Sequence, residues 1–381
     1  MTKYDTDAIN AAVDAFRALL VEQTERQKRI AAAVGKDRAS KEIARIALIP
    51  GDGIGPIITE SAKQALSALL EKEKAAGKVV FVPVSGMTIA ERLACGKTLP
   101  DEALETILSC DVLLKGPTET PHGGNFESAN VALRRTLDLY ANVRPVRLPE
   151  KGIDWTFFRE NSEGEYILGS RGIELPGGMS VDFKVTTPEG TRRIAEAAFS
   201  YARQNGKKKL AIVTKANIMK KTDGLFSKIA HEIAANYPEI EVGEWYIDIM
   251  TANLVNEAVQ KSFEVFLLPN LYGDILTDEA AQICGGVGTA GSANIGDRCA
   301  MFEAIHGTAP RMIEEGLGAY ASPVSILRAA SMMLRHIGYA EKAALLENAI
   351  DKAYALCPVN GTKDGATCAE YTETLLRALR E

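Results

Sequence analysis

The 381-residue sequence contains no CxxC pair; its six cysteines, Cys95, Cys110, Cys284, Cys299, Cys357 and Cys368, are scattered. That spacing excludes the common zinc modules and makes free thiols in a reducing compartment the expectation. Positive charge is not in excess. Lys plus Arg number 44 against 50 Asp plus Glu, a formal net charge of −6. This argues against nucleic-acid and membrane partners, because phosphate-rich surfaces select cationic ones. It does not exclude a small anionic ligand, which needs only a local cluster of cations. No apolar run reaches the roughly 18 residues of a transmembrane helix. No basic-then-apolar leader is visible, and Asp5, Asp7, Asp14, Glu22 and Glu25 do not fit an acid-poor transit peptide. A cytoplasmic location is therefore expected. Histidine is scarce (His122, His231, His306, His336), and no Ser-His-Asp or Cys-His spacing is evident, which leaves few options for histidine chemistry.

The first 42 residues stand apart. Ile9, Ala12, Val13, Phe16, Leu19 and Leu20 recur at helical spacing over 5–34, which predicts an amphipathic helix that covers the body or a partner. A polar linker follows at 36–42. From Ile43 strand-like and helix-like segments alternate, which argues for βαβ units and a mostly parallel α/β sheet. Strands are expected at 43–49, 79–84, 111–115, 209–214, 241–247 and 265–268. Helices are expected at 57–74, 191–203, 223–237, 251–261, 325–334 and 340–356. Residues 164–190 interrupt this with Gly169, Gly172, Pro176, Gly177, Gly178 and Pro188 among β-formers. They read as an extended arm of the kind that subunits exchange, which makes a dimer plausible.

Four motifs can carry chemistry. Gly51-Asp52-Gly53-Ile54-Gly55-Pro56 follows a strand and precedes a helix. Its G-x-G-x-G-P spacing lacks the third glycine of a dinucleotide fingerprint, so a tight structural turn explains it as well as a phosphate cradle. Ser128, Asn130 and Arg134 are followed by Arg144 and Arg159, arginines among apolar neighbours. Such arginines need anionic partners, whether a polycarboxylate or phosphate ligand or the internal acids Asp138, Glu160 or Glu163. Asp274 and Asp278 fall at i and i+4, on one helical face about 6 Å apart. Their repulsion calls for a divalent cation or a basic partner, although a helix N-terminus also favours acids. Finally, Glu303 and the loop His306-Gly307-Thr308-Ala309-Pro310 can meet a nucleotide, although a lone histidine is more often structural.

Taken in order, IPGDGIGP (49–56), SANVALRRTLDLYANVRPVR (128–147), RENSEGEY (159–166), KANIMKKTDG (215–224), NLYGDILTDEAA (270–281) and HGTAP (306–310) are similar to the β-decarboxylating dehydrogenases. These are the isocitrate, isopropylmalate, homoisocitrate and tartrate dehydrogenases. The resemblance runs from about residue 43 to about 375 and leaves out only the N-terminal helix. It implies the isocitrate/isopropylmalate dehydrogenase fold. There a large nucleotide-binding domain (43–139 and 286–381) accompanies a small dimerisation and substrate domain (140–285) that carries an exchanged arm (about 164–190), and 1–42 form an N-terminal helical extension.

By this resemblance Arg134, Arg144 and Arg159 hold substrate carboxylates. Ser128 and Asn130 favour isocitrate, because isopropylmalate members place apolar side chains there. Asp274 and Asp278, with Asp248 from the partner subunit, hold Mg2+ or Mn2+. Lys215 of the partner, with Asp248, takes the hydroxyl proton, and Tyr166 returns a proton to carbon 3. Thr120 and Asn217 lie towards the phosphates or nicotinamide, and Glu303, His306, Gly307, Thr308 and Ala309 surround adenosine. The implied reaction is metal-dependent oxidative decarboxylation of isocitrate to 2-oxoglutarate with hydride transfer to NAD, in a homodimer whose subunits share each site.

The chain departs from the pattern at several places. Arg311-Met312 follow HGTAP where NAD-linked members usually show an acid, and an arginine there can meet a 2′-phosphate. Against NADP, the stretch 357–368 lacks the Tyr-x-x-x-Arg pair of NADP-linked bacterial relatives. Gly164 replaces the usual acid after RENSE. Two alternatives differ in kind: a relative acting on homoisocitrate, 3-isopropylmalate or tartrate, and a non-catalytic regulatory subunit. Regulatory subunits typically lose the tyrosine, the lysine or a metal aspartate, all of which this chain keeps.

Overall fold

The run Ala44–Ile49 is a strand because its last four residues are apolar and buried, with β-branched Ile46 and Ile49 among them. Gly55 and Pro56 then start the helix Gly55–Leu69, since proline suits a first turn whose amides lack intrahelical partners. Such strand–turn–helix units recur along the chain. The structure, a computed structural model, describes residues 6–32, 43–121, 126–167, 172–175, 178–286 and 290–381. The expected linker at 36–42 and arm positions 168–171 and 176–177 lie outside the described residues.

The described residues divide into two compact units, one within Met1–Gly35 and Phe158–Leu276, the other within Lys36–Phe157 and Thr277–Glu381. The chain passes between them inside the strand Ile153–Glu160 and inside the helix Asn270–Ile283. The expected domain limits stand instead in the loops at 139–140 and 285–286. The N-terminal helix falls in the first unit.

The second unit holds strands in the order Val79–Pro83, Ala44–Ile49, Val112–Lys115, Ala300–Ala304, Gly291–Ile295 and Ala141–Leu148. The first four are mutually parallel. Gly291–Ile295 runs antiparallel to both neighbours. One face packs Ile46, Leu48, Val112 and Phe302 under helices that supply Ile58, Leu66, Leu327, Leu346 and Leu375. The other packs Ala47, Ile49, Leu113 and Met301 against Ala103, Ile107 and Leu133. Burial on both faces is why these strands read as unbroken apolar runs. Each fully buried Leu or Ile contributes about 1.5–3 kcal/mol.

The first unit holds the parallel strands Val265–Leu268, Lys209–Thr214 and Glu241–Tyr246, the helices Pro188–Gln204 and Thr222–Ala234, and the hairpin Ile173–Leu175 with Met179–Val181. The N-terminal helix, expected over 5–34, runs Thr6–Ala32 and packs on that hairpin and on Pro188–Gln204. The helix expected at 251–261 lies at Ile247–Leu254 instead. Asn256 ends it locally: its side-chain oxygen accepts from the Ala258 amide at 3.0 Å, an Asx turn that competes with helical bonding. No helix among the described residues is long and apolar enough to cross a membrane.

Candidate active site

In the second unit, parallel register sets Glu303 beside Lys115 at the ends of two buried strands. The Lys115 ammonium lies 3.2 Å from the Glu303 carboxylate. The helix Ala129–Thr136 brings Arg134 to the other Glu303 oxygen at 3.1 Å, and the Asn294 amide donates to that oxygen at 2.8 Å. Two cations and an amide overcome the burial that disfavours a carboxylate, and they hold Glu303 ionised with its pKa down at about 2. Burial pulls the Lys115 ammonium below its usual range, against the attraction of Glu303.

Arg134 and Glu303 of this cluster line a pocket together with Thr118, Asn130, Arg144 and His306. Asn130 and Arg134 share a helical face as expected, and the Asn130 oxygen accepts from the Thr118 hydroxyl at 3.1 Å. Ser128 stands at the N-cap of the same helix and lies outside this lining. Arg144 is buried and donates to Thr277 at 2.6 Å and Asp278 at 2.9 Å.

On the pocket rim, the His306 ring donates from Nδ1 to the Gly307 carbonyl at 3.1 Å. Its Nε2 is buried without a hydrogen-bond partner among the described residues, and burial lowers the pKa of the ring. A neutral imidazole with an unused nitrogen suits a neutral polar ligand group better than a phosphate. Thr308 is buried, and Ala309 takes a left-handed φ of 46° as it caps the helix Pro310–Glu314. Such a conformation is rare outside glycine and marks a tightly determined loop. Arg311 pairs with Glu315 at 2.6 Å, its side chain 86% exposed. Thr120 is also exposed.

The Gly51–Pro56 turn is the mount for this rim. The Asp52 carboxylate accepts from the amides of Ile89 and Glu119, each at 2.8 Å, and lies 3.6 Å from Arg92. A Cβ on Gly51 would sit 2.1 Å from the Pro117 carbonyl, and one on Gly53 2.1 Å from that of Thr308. Of the two readings of this motif, close backbone packing is the one its contacts support.

In the first unit, Arg159 is 1% exposed. Its Nε and Nη2 donate to Asn270 Oδ1 at 2.9 and 2.7 Å, and its Nη1 bonds Asp274. Tyr166 donates its hydroxyl to the other Asp274 oxygen at 2.7 Å, and the Arg159 guanidinium lies 5.3 Å from its ring centre. Elsewhere in this unit Lys215 pairs with Asp248 at 2.5 Å. That hydrogen bond holds the Asp248 carboxyl below its usual range. Asp223, wholly buried, accepts from the Lys215 amide at 2.7 Å and so fixes the backbone from which that lysine projects. Asn217 is exposed in the turn that follows.

Asp274 and Asp278 lie one turn apart on Asn270–Ile283. Their hard oxygen donors fit Mg2+ or Mn2+ in type. Among the described residues of one chain, no three His, Cys, Asp or Glu side chains gather to hold a metal ion. The third ligand, Asp248, is expected from the partner subunit.

Several contributors are not evident in the sequence, among them Asn294 and Thr118, whose bonds to Glu303 and Asn130 depend on tertiary structure. Lys115 ended an apolar strand, the available signal for a buried cation at a strand's carboxyl end. Asn270 opened the NLYGD string but counted only as a landmark. Asp223 gave no signal, since its partners depend on tertiary structure.

The model of the isocitrate/isopropylmalate dehydrogenase family matches residues 45–375. A regulatory chain of the mitochondrial NAD isocitrate dehydrogenase of Dictyostelium discoideum is 38% identical over 354 residues, covering 90% of this chain and 94% of that one. The NADP isocitrate dehydrogenase of Rickettsia bellii is 39% identical over 320 residues, covering 82% of this chain and 63% of that one. The crystal structure of isocitrate dehydrogenase from Methylococcus capsulatus superposes with a TM-score of 0.78 at 34% identity, covering 89% of this chain and all of that one.

Proposed function

Because the chain belongs to the isocitrate/isopropylmalate dehydrogenase family, we propose that it catalyses the oxidative decarboxylation of isocitrate to 2-oxoglutarate and CO2, reducing NAD+ to NADH. The observation that carries the substrate choice is the polar lining around Asn130. With its oxygen committed to Thr118, the amide's donors are the part of Asn130 that can meet a carboxylate. An isopropyl group would leave these groups without partners, which site specificity penalises strongly. Arg134, Arg144 and Arg159 already hold carboxylates of the chain itself. Substrate carboxylates replace part of that pairing in the same forked geometry.

Lys215 takes the proton of the C2 hydroxyl, and Asp248, 2.5 Å away, takes the proton the lysine must first release. Tyr166, whose hydroxyl already donates to a carboxylate oxygen, delivers a proton to carbon 3 once CO2 has left. Asp274 and Asp278 would hold Mg2+ or Mn2+ with Asp248 of a second copy, and the cation would supply charge stabilisation for the developing alkoxide and enolate. NAD+ supplies the hydride acceptor, with His306, Gly307, Thr308 and Ala309 around its adenosine and Thr120 and Asn217 towards the phosphates or nicotinamide. Arg311, already paired within its own helix, supports NAD over NADP. The active unit on this reading is a homodimer.

The test is a steady-state panel of NAD+ and NADP+ against isocitrate, 3-isopropylmalate, homoisocitrate and tartrate, with Mn2+ present and the oligomeric state measured in parallel. Isocitrate with NAD+ should give the highest kcat/KM. Turnover of isopropylmalate without isocitrate would remove the Asn130 argument. No turnover of any substrate would make the chain a regulatory subunit.

A further inference from the structure

The N-terminal helix lies outside the family match at 45–375, yet it reaches the segment that carries Tyr166. Leu19 is buried with Ile167, Phe183 and Val185, and Phe16 stacks on Phe183 with ring centres 5.0 Å apart. Two turns further along, Arg26 meets Glu163 at 2.7 Å and donates to the Ser162 hydroxyl at 2.9 Å. This ion pair is nearly out of water, with side chains 12% and 3% exposed. The Glu163 carboxylate also accepts from the Thr187 amide at 2.8 Å and from the Thr187 hydroxyl. It fills the space that a Cβ on Gly190 would need, 2.3 Å from its Oε1.

From Glu163 the contacts lead directly to the chemistry. The Glu163 carbonyl accepts from the Asn270 amide at 2.8 Å. Asn270 Oδ1 holds two nitrogens of Arg159, which bonds Asp274, which in turn accepts from Tyr166. We propose that the N-terminal helix is a built-in clamp on this group, with Arg26 as a positioning residue that sets Arg159, Asp274 and Tyr166 through Glu163 and Asn270. The proposal rests on the roles given to Arg159 and Tyr166 above.

Charge explains why a cation is needed at this place. Glu160 and Glu163 are both buried, and Glu160 accepts from the Ser162 amide, the Ser162 hydroxyl and the Glu163 amide at 2.9, 2.6 and 2.7 Å. Burial and the neighbouring charge of Glu163 push the Glu160 carboxyl up to about 7, while Arg26 pulls it down. On the other side Arg193 reaches Ser162 at 3.3 Å. Removing Arg26 leaves two buried acids undercompensated, which the segment relieves by moving.

The test uses the full chain with Arg26→Ala, Arg26→Lys, Tyr166→Phe, and Lys28→Ala as a control on the exposed side of the helix. Two readouts are taken well below the melting temperature: isocitrate turnover, and hydrogen exchange of the peptide spanning 160–167 without substrate. Arg26→Ala should lower kcat roughly tenfold to a hundredfold, as expected for a displaced catalytic group. KM should rise less, because three arginines share the substrate. Arg26→Lys should recover most of the loss, and Lys28→Ala should match the parent. Exchange at Glu163 and Gly164 should quicken in Arg26→Ala. If that variant does not fold, Phe16→Ala loosens the same helix and carries the same expectations. A parental kcat in Arg26→Ala overturns the clamp whatever happens to its melting temperature. If the parent turns over no substrate, the functional reading fails on its own. Unchanged exchange in Arg26→Ala then overturns the clamp, and faster exchange confined to 160–167 supports it.

Discussion

Two charged groups in this protein live under opposite conditions. Lys115, Arg134 and Glu303 lie at 0%, 14% and 6% side-chain exposure, whereas Lys215 and Asp248 lie at 26% and 68%. In the first, water is excluded, so each charge depends on its partners for its ionic state. In the second, water screens the pair, and either member can leave the other at little cost. The same pairing of carboxylate and cation is therefore a frame where it is dry and a reagent where it is wet. Arg159 with Asp274 lies between, a buried guanidinium holding a carboxylate that is 36% exposed.

The largest expected effect breaks the wet pair. Lys215→Met should lower isocitrate turnover by about 10²- to 10⁴-fold with the melting temperature nearly unchanged; a loss below tenfold would take the lysine out of the proton transfer. Breaking the dry group should do the reverse. Glu303→Ala should cost about 3–5 kcal/mol of stability in denaturant unfolding, because it strands two buried cations. A cost under about 1 kcal/mol would mean the cluster is wetter than its exposure implies.

pH sharpens the contrast between buried acids. Glu303 titrates at about 2 in the folded chain against an ordinary 4.5, so the unfolded chain takes up its proton first. Its stabilisation is present above about pH 4.5 and is lost as pH falls towards 2. Glu160, raised to about 7, acts in the opposite sense: its contribution is full below pH 4.5 and is lost as pH rises through 7. Glu303→Gln should flatten the acid limb of the stability profile, and Glu160→Gln the neutral limb, in urea unfolding from pH 3 to 8. The smallest effect concerns Arg311, an exposed pair on a short helix. Arg311→Ala should change kcat/KM for NAD+ by less than about twofold. A larger fall confined to NADP+ would give that arginine a role at the 2′-phosphate.

Much of the framework was legible from local pattern. Apolar runs marked Ala44–Ile49, Val112–Lys115 and Val265–Leu268, and helical periodicity marked Thr6–Ala32 and Val324–His336. The pattern did not mark the helices Ile89–Cys95, Asp101–Leu108, Pro310–Glu314 and Cys368–Ala378. Two of them carry capping boxes, Thr88 with Glu91 and Thr367 with Glu370, a local signal of a helix start. The site is a different case. Asn130 and Arg134 share a face by periodicity alone, but Glu303 finds Lys115 across 188 residues of sequence. Only strand register decides that meeting, and no local pattern encodes it. Arg26 was invisible for the same reason, as one more charge on the polar side of an amphipathic helix.

The N-terminal helix leaves the ribosome before any residue it will touch in the catalytic segment. Arg26 waits for Glu163 across 137 residues, and Leu19 waits as long for Ile167 and the strip beyond it. Loop-closure entropy grows only logarithmically, so this separation costs little more than a much shorter loop. Its consequence is kinetic: contacts this distant raise the mean separation of contacting residues, on which the folding rate depends. The helix can dock only once the segment that holds Glu163 and Ile167 has been made, and its docking completes the setting of Tyr166.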